Sequence, residues 1–356
     1  MSRSPRRHVT VYDPNGQNPY GNELALILQG TGRTVDHWVS ASRTYQNASG
    51  IRVRSSLGGP VQDSQRRIVT AIRRLLVPVR AILFAPRDSP VVAAWTVDTW
   101  DTLLLGARSL FSDDVFVVLH NPRQVQGRAG KRWRLERLVL RRAVICLHSD
   151  RLAALAAADF PRRAVTPHPP YLSMTRSSPT WNPSRVTARE GPPRVGFIGE
   201  PRLDKGVADL EQMAERVSVR FELCILSAKR LPNGLAERIR ALGHEVTEMA
   251  DGGRPTDEEI VSALLESVVV VAPYRAVTES GSIRLATAVG VPVVAYNTDG
   301  VRELLPDSQL ANDVGLLSRL VEARLVDPAL PSAQLSLSLQ SELAITAWEG
   351  ILDGKY

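Results

Sequence analysis

Two cysteines in 356 residues leave no disulfide framework and no Cys-rich zinc site, and both Cys146 and Cys224 sit in apolar runs that read as buried strands. Buried free thiols suit a reducing cytoplasm. Long apolar stretches are scarce too. The longest, Ser89–Val97 and Val268–Ala272, fall far short of the ~20 residues a membrane helix requires, and no apolar segment follows the N-terminal arginines. The chain is therefore expected to be soluble, without an export signal. Aromatic residues make up 5%, and no recognition-helix or stacking-platform signature accompanies them, which argues against a nucleic-acid binder. No Asp-x-Asp and no His/Cys ligand spacing occurs, so no metal is expected.

What is present is ordinary globular material, 44% hydrophobic and 23% charged, in a chain longer than the roughly 250–300 residues at which one core stops growing. Two domains follow. The net charge of +7 conceals an asymmetry: residues 1–189 carry a balance of +16 and residues 190–356 one of −9. A basic half favours anionic partners, whether nucleic acid, a lipid surface or a phosphorylated substrate.

In the first half, His8–Tyr12 reads as a strand, Asp13-Pro14-Asn15-Gly16 as a turn and Asn22–Gln29 as a helix. Further strands are expected at Ala81–Ala85, Val115–His120 and Ala143–His148. Such β/α alternation implies a mainly parallel sheet. A Ser- and Pro-rich stretch around Met174–Pro193 has no periodicity and reads as the linker. The alternation then restarts with strands at Arg194–Ile198, Phe221–Leu226, Glu245–Met249, Val268–Ala272 and Val291–Ala295, and helices at Leu235–Leu242, Glu258–Leu265 and Ile283–Val289. Leu335–Leu352 has helical periodicity and could pack back across the first domain. The expected division is 1–180 for the first domain, 181–193 for the linker, 194–334 for the second domain and 335–356 for the returning helix.

Ligands collect outside the carboxyl ends of parallel strands, so the loops there are the informative ones. In Val268–Ala295 a Val-rich strand leads into Thr278-Glu279-Ser280-Gly281-Ser282, a two-turn helix starts, Gly290 stops it, and a second strand begins. Small residues at a helix N-terminus let backbone N–H groups face an anion, and the helix dipole favours negative charge there. A phosphate or diphosphate fits that place.

Three stretches together resemble the nucleotide-sugar glycosyltransferases of GT-B fold, especially the large retaining family 4. They are Val195-Gly196-Phe197-Ile198-Gly199 running to Lys205-Gly206; the Ser-Gly-Ser loop and helix running to Asp299-Gly300-Val301-Arg302-Glu303-Leu304; and, in the first half, Asn18-Pro19-Tyr20, Leu119-His120-Asn121-Pro122 and Pro167-His168-Pro169-Pro170-Tyr171. The resemblance implies an α/β chain of two Rossmann-like, doubly wound domains facing a cleft, with the C-terminal helix packing back on the first. It further implies donor binding by Gly199, Arg202, Lys205, Glu279, Ser280, Gly281, Ser282, Arg302 and Glu303, with Lys205 reaching the diphosphate and the Gly281 and Ser282 amides capping it. Arg302 and Glu303 would fall in the loop after the last strand of that domain. Acceptor binding would fall to Gly16, Asn18, Tyr20, His120 and His168, and catalysis to His120 and Lys205. The family's Arg after the strand glycine is Glu200 here, with Arg202 two residues on. Its paired glutamates are missing, since Leu285 takes the place of the second and Glu279 lies two positions from the first.

The implied activity is transfer of a sugar from a nucleotide diphosphate donor, UDP- or GDP-linked, to a glycan, lipid-linked or small-molecule acceptor, retaining and metal-independent, with no cofactor beyond the donor. Two rival readings are a sugar-nucleotide epimerase of the same fold and a non-enzymatic protein that binds nucleic acid or an anionic surface. Arg66–Arg80 reads as a helix with one cationic and one apolar face, ended by Pro78, and Arg123–Arg142 adds charge of the same sign. Both would suit a cytoplasmic protein peripheral at the inner membrane face, bound to anionic lipid through its basic half.

Overall fold

A computed structural model describes residues 8–14, 19–39, 51–55, 75–96, 99–120, 131–173, 191–253, 255–277, 280–328 and 337–356. By internal packing the chain divides into Met1–Ser173 with Leu337–Tyr356 as unit 1, and Met174–Ser336 as unit 2. The expectations for Gly16, Asn18, Glu279, residues 66–74 and 123–130, and linker residues 181–190 fall outside the described residues.

Unit 1 is a parallel sheet of β1 (His8–Asp13), β2 (Thr34–Val39), β3 (Arg52–Ser55), β4 (Val91–Ala93), β5 (Val115–Val118), β6 (Val144–Leu147) and β7 (Arg163–Val165), in the order β3-β2-β1-β4-β5-β6-β7. Its crossovers include α1 (Tyr20–Gly30), α2 (Thr99–Ser109), α3 (Lys131–Val139) and α4 (Asp150–Ala156). Helices on both faces bury β5 and β6 completely, which is why those strands are unbroken apolar runs. Alternate residues enter alternate cores: Phe116 and Val118 join Val9, Val11 and Leu24, while Val115 and Val117 join Val91, Ala93 and Ile145. Cys146 is a buried free thiol, pushed up by desolvation.

Unit 2 repeats the plan. Its strands are β8 (Arg194–Ile198), β9 (Glu222–Leu226), β10 (Glu245–Glu248), β11 (Ser267–Ala272), β12 (Val293–Tyr296) and β13 (Leu310–Ala311), parallel and ordered β10-β9-β8-β11-β12-β13. The connecting helices are α5 (Asp209–Arg216), α6 (Leu235–Ala241), α7 (Asp257–Leu265), α8 (Gly281–Val289), α9 (Asp299–Arg302) and α10 (Val314–Val326). In each sheet the strand order reverses beside the first strand, the switch point at which loops diverge and leave room for a ligand.

The last helix, α11 (Leu337–Leu352), belongs to unit 1, as its apolar spacing suggests. Its Trp348 is fully buried in the core that holds Phe116 and Leu28, and Ile345 lies on Gly30 of α1, where a Cβ would crowd it at 2.6 Å. Arg33 and Asp353 close the end of the helix at 2.8 Å.

The structure corrects two expectations in unit 1. Residues 75–83 are helical, so Pro78 does not end the helix and Ala81–Ala85 is not a strand; the strand is β4. After Pro78 the turn widens to a π-helix over Val79–Leu83, closed by Phe84 N–H donating to the Val79 carbonyl at 3.3 Å. The helix stops where the Arg108 guanidinium of α2 donates to the carbonyls of Leu83, Ala85 and Pro86 at 3.5, 3.0 and 2.8 Å, the last of which also accepts from the Ser89 N–H at 3.1 Å.

Candidate functional site

In unit 2 the chain leaves β8 through Gly199, whose φ of +105° disfavours any residue with a side chain, and a Cβ there would stand 3.3 Å from the Ser282 hydroxyl. The loop ends in a 3-10 turn over Leu203–Lys205 and then Gly206, at φ +69°. Any Cβ on Gly206 would collide with the Pro273 carbonyl, so only glycine lets this loop lie against the segment after β11. Arg275 and Ala276 fasten the two loops by donating their N–H groups to the Asp204 carbonyl at 3.0 and 3.4 Å. This Lys-Gly geometry sets the Lys205 ammonium over the Tyr274 ring, 3.7 Å from its centre.

Tyr274 joins the site together. It is fully buried, and its hydroxyl donates to the Ile198 carbonyl at 2.5 Å while the side chains of Ser280 and Ser282 hydrogen-bond to it. Ser280 also caps α8 by accepting from the Ile283 N–H at 3.2 Å, and Gly290 at φ +91° ends that helix. The end of β8, the N-terminus of α8 and a lysine ammonium thus meet on one aromatic ring. Burial lowers the Lys205 ammonium to about 8, with Asp204 opposing and Arg202 adding to the shift, so it remains mostly cationic at pH 7. Burial likewise pushes the Tyr274 hydroxyl up to about 12, which keeps it neutral.

The other unit 2 residues lie around this centre in different states. Arg202 is exposed and engaged, donating to both Asp204 oxygens at 3.0 and 2.9 Å with Glu200 at 3.7 Å. Arg302 ends α9 and donates to the Asn297 side chain at 2.9 Å, and the exposed Glu303 follows it. Both follow β12, Arg302 as the last residue of a short helix and Glu303 just past it, and neither lies in a loop after the last strand, because the two-residue β13 extends the sheet. Sequence reasoning also passed over the buried Asp209. Its carboxylate takes the Arg275 guanidinium at 3.0 and 2.5 Å and steadies the loop that carries Tyr274.

Unit 1 gathers a second set at the carboxyl ends of its strands. Trp95 follows β4, His120 follows β5, His148 follows β6 and His168 follows β7. The His120 ring stacks on Trp95 at 3.7 Å, Tyr20 stands edge-on to His120 at 4.5 Å and to His168 at 5.0 Å, and His148 lies 5.4 and 4.8 Å from His120 and His168. His120 and His168 each contact a backbone carbonyl, of Ala94 at 3.0 Å and of Pro169 at 2.7 Å. Desolvation by this packing, helped by His148, lowers the His120 imidazole to about 3, so at pH 7 it is neutral and able to accept a proton's hydrogen bond. Glu23 of α1 steadies the far side by accepting from the Ser173 N–H at 2.9 and 3.2 Å and from its hydroxyl.

No family model matches the chain, and no curated protein matches it by sequence. Solved structures do. The chain is similar to a sucrose-phosphate synthase from Thermosynechococcus elongatus (TM-score 0.62, 18% identity, 97% of this chain and 96% of that one) and to HepE from Anabaena in complex with UDP (0.61, 15%, 98% and 95%). It is also similar to a glycosyltransferase from Rickettsia africae (0.60, 12%, 98% and 100%). The fold is GT-B.

Within the GT-B fold the expected donor residues Gly199, Lys205, Ser280, Gly281 and Ser282 come together in unit 2, whereas Arg202 and Arg302 already have side-chain partners. In unit 1, Tyr20, His120 and His168 form one cluster. His148 and Trp95 complete it, and sequence reasoning missed both. Each stands just past a strand end, the position that already singled out His120. Among the described residues no group of three or more His, Cys, Asp or Glu is placed to hold a metal, and no helix is long and apolar enough to cross a membrane.

Proposed function

We propose that the chain is a glycosyltransferase that moves a sugar from a nucleotide diphosphate donor held by unit 2. The observation that carries this reading is the meeting of the Lys205 ammonium and the α8 N-terminus on Tyr274. A diphosphate leaving group develops charge as the glycosidic bond breaks, and preorganised cations and N–H groups are the protein's means of stabilising it. Ser280 satisfies the Ile283 N–H, leaving the Gly281 and Ser282 amides to a phosphate oxygen while Lys205 meets the other end of the diphosphate. Such a set offsets the charge without a divalent ion. UDP is the first donor to test, since HepE is seen with UDP and with UDP-glucose; GDP is the second.

On the acceptor side, the half-buried, neutral His120 is the proposed orienter of an attacking hydroxyl, with the half-buried Trp95 beside it, while Tyr20 and His168, expected as acceptor contacts, are buried behind these two and support them. The acceptor is a glycan or lipid-linked sugar, transfer is retaining, and the basic residues of the first half bring the protein to an anionic cytoplasmic membrane face.

The first experiment is thermal stabilisation against UDP, GDP, ADP, TDP, CMP and short DNA, with and without chelator. A ligand at 100 times its Kd adds about 2.7 kcal/mol. One nucleoside diphosphate is expected to stand out, chelator to leave its effect intact, and Lys205→Ala to weaken it at least tenfold, or about 1.4 kcal/mol. A shift with DNA alone, or with nothing, would reject the reading. Turnover of the donor sugar without any acceptor would favour the epimerase instead.

A further inference from the structure

A cavity of about 420 Å³ opens in unit 1 between the last turn of α3 and the segment joining α4 to β7. Arg141 stands just before β6, and Asp159 and Pro161 just before β7, so the hollow lies at the amino-terminal edge of the sheet, opposite the edge that bears His120, His148 and His168. Arg134, Arg137 and Arg141, three and four residues apart, line it from one side. Asp159 supplies the one carboxylate of the lining and holds Arg137 at 2.7 Å. Arg134 and Arg141 form no ion pair among the described residues, which leaves the hollow two uncompensated cations.

The helix dipole does not account for this charge. A helix C-terminus presents roughly half a negative charge, which a single cation already offsets. The remaining wall is apolar, with Pro161 on one side and Leu138, 73% exposed, on the other. An open hollow with a doubly cationic floor and an apolar lip is built for a dianion attached to something less polar.

We propose that this cavity binds a phosphate group on an organic body, the phosphate between Arg134 and Arg141 and the body against Leu138 and Pro161. Guanidinium forks match phosphate oxygens in pairs, and two unpaired cations balance a phosphomonoester dianion. The same chemistry could come from a soluble phosphomonoester or from the phosphomonoester headgroup of a lipid such as phosphatidic acid. The inference stands apart from the donor site of unit 2.

The test uses the full chain, titrated with glycerol 3-phosphate by calorimetry and floated with phosphatidylcholine vesicles that contain phosphatidic acid. The Arg134→Glu/Arg141→Glu variant changes two exposed side chains, and its UDP-induced stabilisation and melting midpoint report that it folds. Wild type is expected to bind at least one probe, and the variant to bind it at least tenfold more weakly. Glycerol phosphate alone assigns a soluble ligand, and vesicles alone assign a headgroup. Leu138→Ser, which keeps every charge, is expected to weaken the same probe about threefold or more. Binding of neither probe overturns the proposal, as does a variant that binds like wild type, the result a phosphate held at Lys205 would give. Equal loss in a charge-matched pair elsewhere, Arg216→Glu/Arg220→Glu, would overturn it too, since net charge would then explain the binding.

Discussion

At the scale of the residue, the proton on Lys205 ties the geometry to an observable. Burial against Tyr274 brings its pKa to about 8, and a diphosphate prefers the protonated form. Affinity for UDP should therefore fall as pH rises through about 8, by up to tenfold per pH unit until the complex itself loses the proton. Calorimetry across this range checks it. Lys205→Ala should bind weakly and lack the inflection, while a wild type without the inflection would remove Lys205 from the phosphate. Tyr274→Phe keeps the ring under the ammonium but deprives the buried Ile198 carbonyl of its donor, at a cost of about 1–3 kcal/mol in denaturant melts. Unchanged stability would show that this hydrogen bond is not what holds the two loops. The Ser-Gly-Ser loop is marked in the sequence by small residues opening a helix after a strand, and the Lys-Gly pair only by its resemblance to a family's loop. Tyr274 was not legible, since an aromatic after a buried strand looks like core until its hydroxyl is seen to reach across to β8.

At the scale of the element, legibility followed burial. β5, β6, β9 and β11 are covered on both faces and so written as apolar runs, which any reading of hydrophobicity finds. β2 carries Asp36 and His37 in its middle and β3 alternates with arginine at the sheet edge, so neither has that signature. β7 and β13 are three and two residues long, too short for a pattern to form. The helix through Pro78 was missed for a different reason: a π-turn and the distant Arg108 rescue what proline disrupts, and neither is local in sequence. α11 was found by period alone, and its packing makes a testable claim. Trp348 is its deepest residue, so Trp348→Ala should cost unit 1 about 3–5 kcal/mol, read as a lower urea midpoint by circular dichroism. A loss under 1 kcal/mol would mean that α11 adds little to the stability of that core.

At the scale of the whole molecule, two sheets of similar order carry opposite charge and different titrating groups, so acid should not act on them equally. His120 binds a proton at about 3 in the folded protein and near 6.5 when unfolded. Between those values the unfolded chain holds more protons, so stability is fully present above pH 6.5 and declines as pH falls toward 3, by at most about 1.4 kcal/mol per unit. The partly exposed edge of the ring makes that slope an upper bound. Protonation elsewhere in unit 1, whose sequence already carries +11, adds repulsion in the same direction, whereas unit 2 starts from −4 and first approaches neutrality. Calorimetric scans between pH 7 and 4.5 should therefore show a transition assigned to unit 1, by its sensitivity to Trp348→Ala, moving down ahead of the one that UDP moves up. His120→Asn, which removes the titrating group, should flatten the first shift without touching the second. If the wild-type transitions fall together and His120→Asn changes neither, the imidazole is solvated in the native protein.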